Sequence, residues 1–175
     1  MNIFQTRPNI KQMFTRLNRE HFNDEIPTIP VVWNARMTTT AGYCRYTRIS
    51  SNYGDLYLKP TKIDLSDKLF KNLGYDLEKI EHTLIHEMVH AFLIHKYNEK
   101  GHTARFQRMM TDITGEYKNH RCHNYDTTGL RRKQERNISV VCPSCGVIGS
   151  RARMPKRGLR YSCRTCRSPV SFVRD

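Results

Sequence analysis

The stretch at residues 77–97 constrains this chain more than any other. Its apolar positions Leu77, Ile80, Leu84, Ile85, Met88, Val89, Phe92 and Leu93 recur at helical spacing. Its middle reads His86-Glu87-Met88-Val89-His90. Residues four apart on an α-helix share a face, with Cβ atoms about 5–6 Å apart. His86 and His90 can therefore grip one metal ion through bonds of about 2.0–2.1 Å. Glu87, beside the first ligand, reaches a water rather than the ion, and a carboxylate so placed can take that water's proton. A histidine pair on a helix is often plain surface or core. The apolar pattern around this one, with further donors downstream, argues for a metal site.

Candidates for a third ligand separate on helix geometry. His82 and His90 are eight residues apart, about 12 Å along the axis, so they cannot share an ion with His86. His82 is read as a surface or supporting residue. His95, five residues past His90, lies roughly 140° round the helix and points elsewhere. His102 follows Gly101, which lets the chain reverse, and it opens the next helical pattern at residues 103–113. Glu116 is the runner-up. With three protein ligands, a fourth position stays open for water.

The rest of the first 130 residues mixes helix and strand. Residues 9–22 read as an amphipathic helix capped by Asn9, with Ile10, Met13, Phe14 and Leu17 on one face. Strands are expected at 30–33, 39–46, 55–58 and 62–65, with a turn at Ser50-Ser51-Asn52. The polar, charged segment 127–137 has no apolar stripe and marks a boundary, giving a main domain at 1–130 and an appendage at 131–175.

The appendage carries Cys142-Pro143-Ser144-Cys145 and Cys163-Arg164-Thr165-Cys166, a spacing typical of zinc sites. Four thiolates close a tetrahedral site with no open position, so Cys142, Cys145, Cys163 and Cys166 are expected to hold a structural zinc. Short strands are expected around them at 138–141, 147–148, 159–162 and 170–173. Such a module has too little apolar area to fold without its metal. Paired Cys-x-x-Cys fits a reducing compartment, where structural disulfides are rare. Cys44 and Cys122 are left over and read as ordinary thiols.

Charge is uneven. The chain carries net +14, and residues 131–175 hold 12 Lys and Arg against 2 Asp and Glu. A quarter of the chain thus carries most of the excess, which points to a polyanionic partner, usually nucleic acid. The candidate phosphate-binding residues are Arg131, Arg132, Lys133, Arg136, Arg151, Arg153, Lys156, Arg157 and Arg160. Tyr161 could stack on an unpaired base, or instead pack within the ribbon. No residue suggests a base-specific code. No apolar run approaches the ~20 residues of a membrane helix, and residues 1–16 lack the apolar stretch of a secretory signal. The expected location is cytoplasmic or nucleoid-associated, with no membrane partner.

Five segments together resemble the SprT-like zinc metalloprotease family. They are Leu17-Asn18-Arg19-Glu20-His21-Phe22, Thr40-Ala41-Gly42-Tyr43-Cys44-Arg45-Tyr46, Lys62-Ile63-Asp64-Leu65-Ser66, the helix at 82–95, and Gly101-His102-Thr103-Ala104-Arg105-Phe106. The resemblance extends into the ribbon. It implies an α+β, zincin-like protease domain, with His86, His90 and His102 on a catalytic zinc and Glu87 as the base. It also implies substrates that are proteins held on, or crosslinked to, DNA. The short architecture is similar to bacterial or phage members that lack a long regulatory tail. The expectation is a zinc endopeptidase with two Zn2+, one catalytic and one structural. The rival is a non-catalytic, zinc-dependent nucleic-acid-binding adaptor or transcription accessory factor, against which Glu87 argues, since metal binding alone does not need that carboxylate.

Overall fold

The computed structural model describes residues 6–50, 55–120, 123–131 and 134–175. They fall into two compact units, Met1–Arg131 and Arg132–Asp175. The expected turn at Ser51 and Asn52, together with Cys122, Arg132 and Lys133, lies outside the described residues.

The first unit is α+β. Helix α1 spans Ile10–Phe22; the Asn9 side chain accepts from the N–H groups of Lys11 and Gln12, and Asn23 in the left-handed region ends it. Asn18 then clips the chain as it turns back, donating to the Ile26 carbonyl at 2.9 Å and accepting from the Ile26 N–H at 3.2 Å. Three strands follow: β1 (Val31–Asn34), β2 (Gly42–Ser50) and β3 (Leu56–Ser66). They form a sheet in the order β1-β3-β2, with β1 parallel and β2 antiparallel to β3.

In this sheet the structure departs from the expected strands. The two expected at 55–58 and 62–65 are one strand, β3. Pro60 lies inside it although proline donates no ladder hydrogen bond. The register shifts between Arg45 and Tyr46 of β2, so a bulge absorbs the irregularity at the proline. On that stretch β3 has β2 alone as partner, since β1 pairs only with Ile63–Ser66.

A short helix, α2 (Asp67–Asn72), follows β3 directly, capped by the Ser66 hydroxyl. The long helix α3 (Leu77–Tyr97) crosses the sheet, and α4 (Ala104–Thr114) packs back against it. The core joins Leu17 of α1, Ile63 and Leu65 of β3, Leu69 and Phe70 of α2, Ile80, Leu84, Met88 and Leu93 of α3, and Phe106 and Met110 of α4. Leu77, counted in the sequence stripe, is exposed. Elements pack on α3 from several sides, so its buried set includes Thr83 and Glu87 as well as apolar residues.

The second unit is a small antiparallel sheet in the order β5-β4-β6, from β4 (Ile138–Cys142), β5 (Gly146–Arg151) and β6 (Ser171–Arg174). The expected strand at 159–162 is absent; that segment contributes one isolated bridge, Ser162 to Pro169. Among the described residues the unit's buried apolar side chains are Ile138, Cys142 and Cys163. So thin a core cannot offset the entropy of ordering the chain by apolar burial alone.

Candidate active site

Helix α3 places His86 and His90 one turn apart, and the α3–α4 turn brings His102 to them. Asn98 ends α3 in the left-handed region, with its N–H on the Leu93 carbonyl. Its side chain holds β3, accepting from the Leu58 N–H at 2.6 Å and donating to the Leu56 carbonyl at 3.2 Å. Gly101, at φ 86°, turns the chain, and the Thr103 hydroxyl caps α4 at the Phe106 N–H. His102 is thus fixed between a clamped turn and a capped helix.

The Nε2 atom of His102 lies 3.1 Å from that of His86 and 3.3 Å from that of His90. An ion with tetrahedral bonds of about 2.0–2.1 Å sets its nitrogens about 3.3–3.4 Å apart. Three converging ring nitrogens at this spacing fit a cation better than one another, since a single proton between two of them leaves the third unsatisfied. Burial, and then the neighbouring imidazoles, lower the pKa of His86 to about 2 and of His90 to about 4. Both rings are therefore neutral, the form that binds metal. Phe106 packs against all three rings, its centroid 4.8, 4.4 and 4.8 Å from those of His86, His90 and His102.

Glu87 points the other way round the helix, under β2. Burial pushes its carboxyl up to about 8, while a hydrogen bond from the Cys44 N–H pulls it down. Gly42 sits against it: a Cβ there would stand 2.7 Å from Glu87 Cγ and 2.8 Å from Oε1. Burial, then the charge of Glu87, holds the Cys44 thiol up at about 12, so it stays protonated and unreactive. These groups line one cleft of about 790 Å3, walled by residues 39–44 on one side and by Lys118, His120 and His123 on another.

His95 is exposed and outside this cleft. Glu116, the alternative third ligand, gathers instead with His82 and His120 in a separate cluster. Gly42, Cys44 and Phe106 shape the site without being picked out for it by sequence reasoning. The available signal was the family resemblance, whose quoted segments contain all three.

In the second unit the four ribbon cysteines come together. Cys142 and Cys166 are 3.3 Å apart and Cys163 and Cys145 3.9 Å, as Sγ–Sγ distances. Tetrahedral Zn–S bonds of about 2.3 Å give about 3.8 Å. The Ser168 hydroxyl and N–H lower Cys166 to about 6, and the N–H groups of Cys166 and Thr165 lower Cys163. Hydrogen bonding to Cys166 and Cys142 raises Cys145 to about 12. Four sulfurs crowded in this way fit a cation among them.

Of the basic candidates, Arg131, Arg136, Arg153, Lys156, Arg157 and Arg160 are exposed. Tyr161 is half-buried edge-on against Phe172, with centroids 5.3 Å apart. The Arg151 guanidinium lies over both rings. Tyr161 and Arg151 are therefore engaged with each other inside the ribbon. Arg164, Arg167 and Arg174, which sequence reasoning did not single out, are exposed too.

Comparison with known proteins gives the family. The model of the SprT-like family matches residues 10–127. The DNA-dependent metalloprotease SPRTN of Xenopus tropicalis is 34% identical over 102 residues, covering 58% of this chain and 21% of that protein. The human protein of the same name is 33% identical over 109 residues, covering 61% and 20%. The DNA-dependent metalloprotease dvc-1 of Caenorhabditis elegans is 33% identical over 109 residues, covering 61% and 28%. The matched region is a fifth to just over a quarter of these relatives' length. The family match covers well over half of this chain, which belongs to the SprT-like family.

Proposed function

We propose that this protein is a zinc-dependent endopeptidase that works on DNA and hydrolyses peptide bonds of proteins bound or crosslinked to it. The observation that carries the reading is the convergence of the His86, His90 and His102 Nε2 atoms beside a buried Glu87 in one cleft. The SprT-like relatives, named DNA-dependent metalloproteases, support the same reading. In this proposal residues 1–130 are a zincin-like protease domain and 131–175 a basic zinc ribbon. Each holds one Zn2+, the ribbon's through Cys142, Cys145, Cys163 and Cys166.

His86, His90 and His102 would hold the catalytic ion. Zinc would supply Lewis acidity there, lowering the pKa of water and polarising a carbonyl. Glu87 handles the proton. Its carboxylate, desolvated beneath Gly42 and restrained by the Cys44 N–H, accepts a proton from water and passes it to the departing amine. Strand β2 is an outer strand, and its Gly42–Cys44 stretch borders the cleft. An extended substrate segment pairs alongside it, using backbone groups and so tolerating many sequences. The exposed ribbon cations Arg153, Lys156, Arg157 and Arg160 hold phosphates without reading bases.

The test is cleavage of a basic DNA-bound protein, with and without DNA, by wild type and Glu87→Gln. Expected are stimulation by DNA and a loss of about 10²–10⁴-fold in the variant with zinc retained. Activity of Glu87→Gln close to wild type would sink the mechanism, and cleavage indifferent to DNA would sink the substrate class.

A further inference from the structure

A second cluster of side chains that could hold a metal ion lies at the edge of the cleft, with His82 and His120 in its lining. His82 is one turn before His86 on α3, about 6 Å along the axis, and the segment after α4 brings Glu116 and His120 to it. One donor atom from each of the three residues lies within 4.8 Å of the others. His82 Nε2 is 3.4 Å from Glu116 Oε2.

His120 carries the stronger argument. It is 2% exposed. Its Nε2 stands 3.0 Å from the Glu116 carbonyl oxygen, which can only accept, so Nε2 bears the proton. Nδ1 is then a bare lone pair. That Nδ1 is a buried side-chain atom without a hydrogen-bond partner, and the equally buried His82 Nε2 faces Glu116 Oε2 at 3.4 Å. Native interiors rarely leave such atoms unsatisfied without a reason, and an unrecorded ion is one.

We propose that His82, Glu116 and His120 form a further zinc site in the wall of the cleft. Two imidazoles and one carboxylate are a donor set that zinc accepts, with a position left for water. The site is not a partner in catalysis. Its ligands are distinct from the three histidines that face one another across the cleft. Its effect is to tie the segment carrying Glu116, Lys118 and His120, one wall of the cleft, to α3. Lys118 bonds the same Glu116 oxygen that faces His82, and this ammonium must give way as the ion enters. The site is therefore weaker than the three-histidine set and fills in response to zinc level.

The proposal does not depend on the protease reading, and the test reads a difference of one equivalent however the other sites fill. The full chain is titrated with Zn2+ against a chromogenic chelator, comparing wild type, Glu116→Gln and Lys118→Met. Both side chains are about half exposed, so neither substitution disturbs the core. Wild type should take up one weak equivalent that Glu116→Gln binds at least roughly tenfold less tightly. Lys118→Met should bind that same equivalent more tightly, which adventitious surface zinc would not do. Amide exchange across residues 116–120 should slow with zinc in wild type and not in Glu116→Gln. Identical titrations in the three proteins, or zinc protection that survives Glu116→Gln, would overturn the proposal.

Discussion

Replacing Gly42 by alanine tests how the site is held, because it adds one methyl group at the back of Glu87 and touches no proposed metal ligand. The new Cβ would stand 2.7 Å from Glu87 Cγ, 2.8 Å from Oε1 and 2.9 Å from Thr83 Cγ2. Carbon atoms at rest lie about 3.5–4.0 Å apart, so the shortfall is about 1 Å. Neither neighbour can swing into water, since Thr83 and Glu87 are both buried on α3, 5% and 6% exposed. The strain must be taken by β2, by the helix or by the carboxylate itself. Overpacking of this kind costs about 1–3 kcal/mol of stability. A catalytic group misplaced by about 1 Å can cost on the order of 10²-fold in rate. Zinc content should stay at the wild-type value, which separates this lesion from removal of a ligand. The assay is kcat/KM on a short peptide, with urea unfolding and metal analysis on the same preparation. Wild-type rate and wild-type stability together would refute the claim that Gly42 is kept small by Glu87.

Three further outcomes follow from the geometry. His102→Ala should lose the cleft zinc and leave the ribbon loaded, and Cys163→Ser should do the reverse; metal analysis and exchange protection within each unit check this. Asp64 is buried against Arg45 and Lys62. Its burial alone would raise its pKa, but hydrogen bonds from Lys62 and Arg45 outweigh that and hold it below the ordinary 3.8. Its contribution to stability is therefore complete above that value and lost as pH falls through the lowered one, so Asp64→Asn should flatten the acid limb of a stability–pH curve. Neutralising Arg153, Lys156, Arg157 and Arg160 together should weaken DNA binding with little sequence dependence. It should flatten the slope of log K against log salt by about 0.7–0.9 for each phosphate no longer neutralised, and an unchanged slope would mark these charges as solvated surface.

How far the sequence could be read depended on whether each signal was local. Helix α3 was legible because its apolar pattern runs the element's whole length, and α1 because Asn9 caps a clear stripe. Helix α2 escaped because six residues leave no room for periodicity; its one local mark was Ser66, whose hydroxyl caps it. Strand β3 was read as two short strands, yet it runs unbroken through Pro60, where it has one neighbouring strand rather than two. In the ribbon, the strand expected at 159–162 gave way to a loop that brings Cys163 and Cys166 to the other cysteines. Tyr161 answers to Phe172 and Arg151 rather than to an alternating pattern.

The cleft divides along the same line. His86, Glu87 and His90 are fixed to one another by the helix repeat, and His102 by a glycine one residue before it, so four positions could be named without coordinates. What buries Glu87, rather than leaving it a surface carboxylate, comes from elsewhere in the chain. Gly42 and the Cys44 N–H lie more than 40 positions away, and they meet the helix only because β2 pairs with β3 in one register. A slip of one residue would turn Cys44 outward and place Tyr43 against the carboxylate. The bulge at Pro60 falls on the far side of this pairing, between Arg45 and Tyr46, so the strand can change its twist toward Ser50 while the Gly42–Cys44 stretch stays opposite Ile63–Leu65. The setting of Glu87 is thus fixed by sheet register, and on the proposed function substitutions that loosen β2 against β3 should lower activity before they unload the metal.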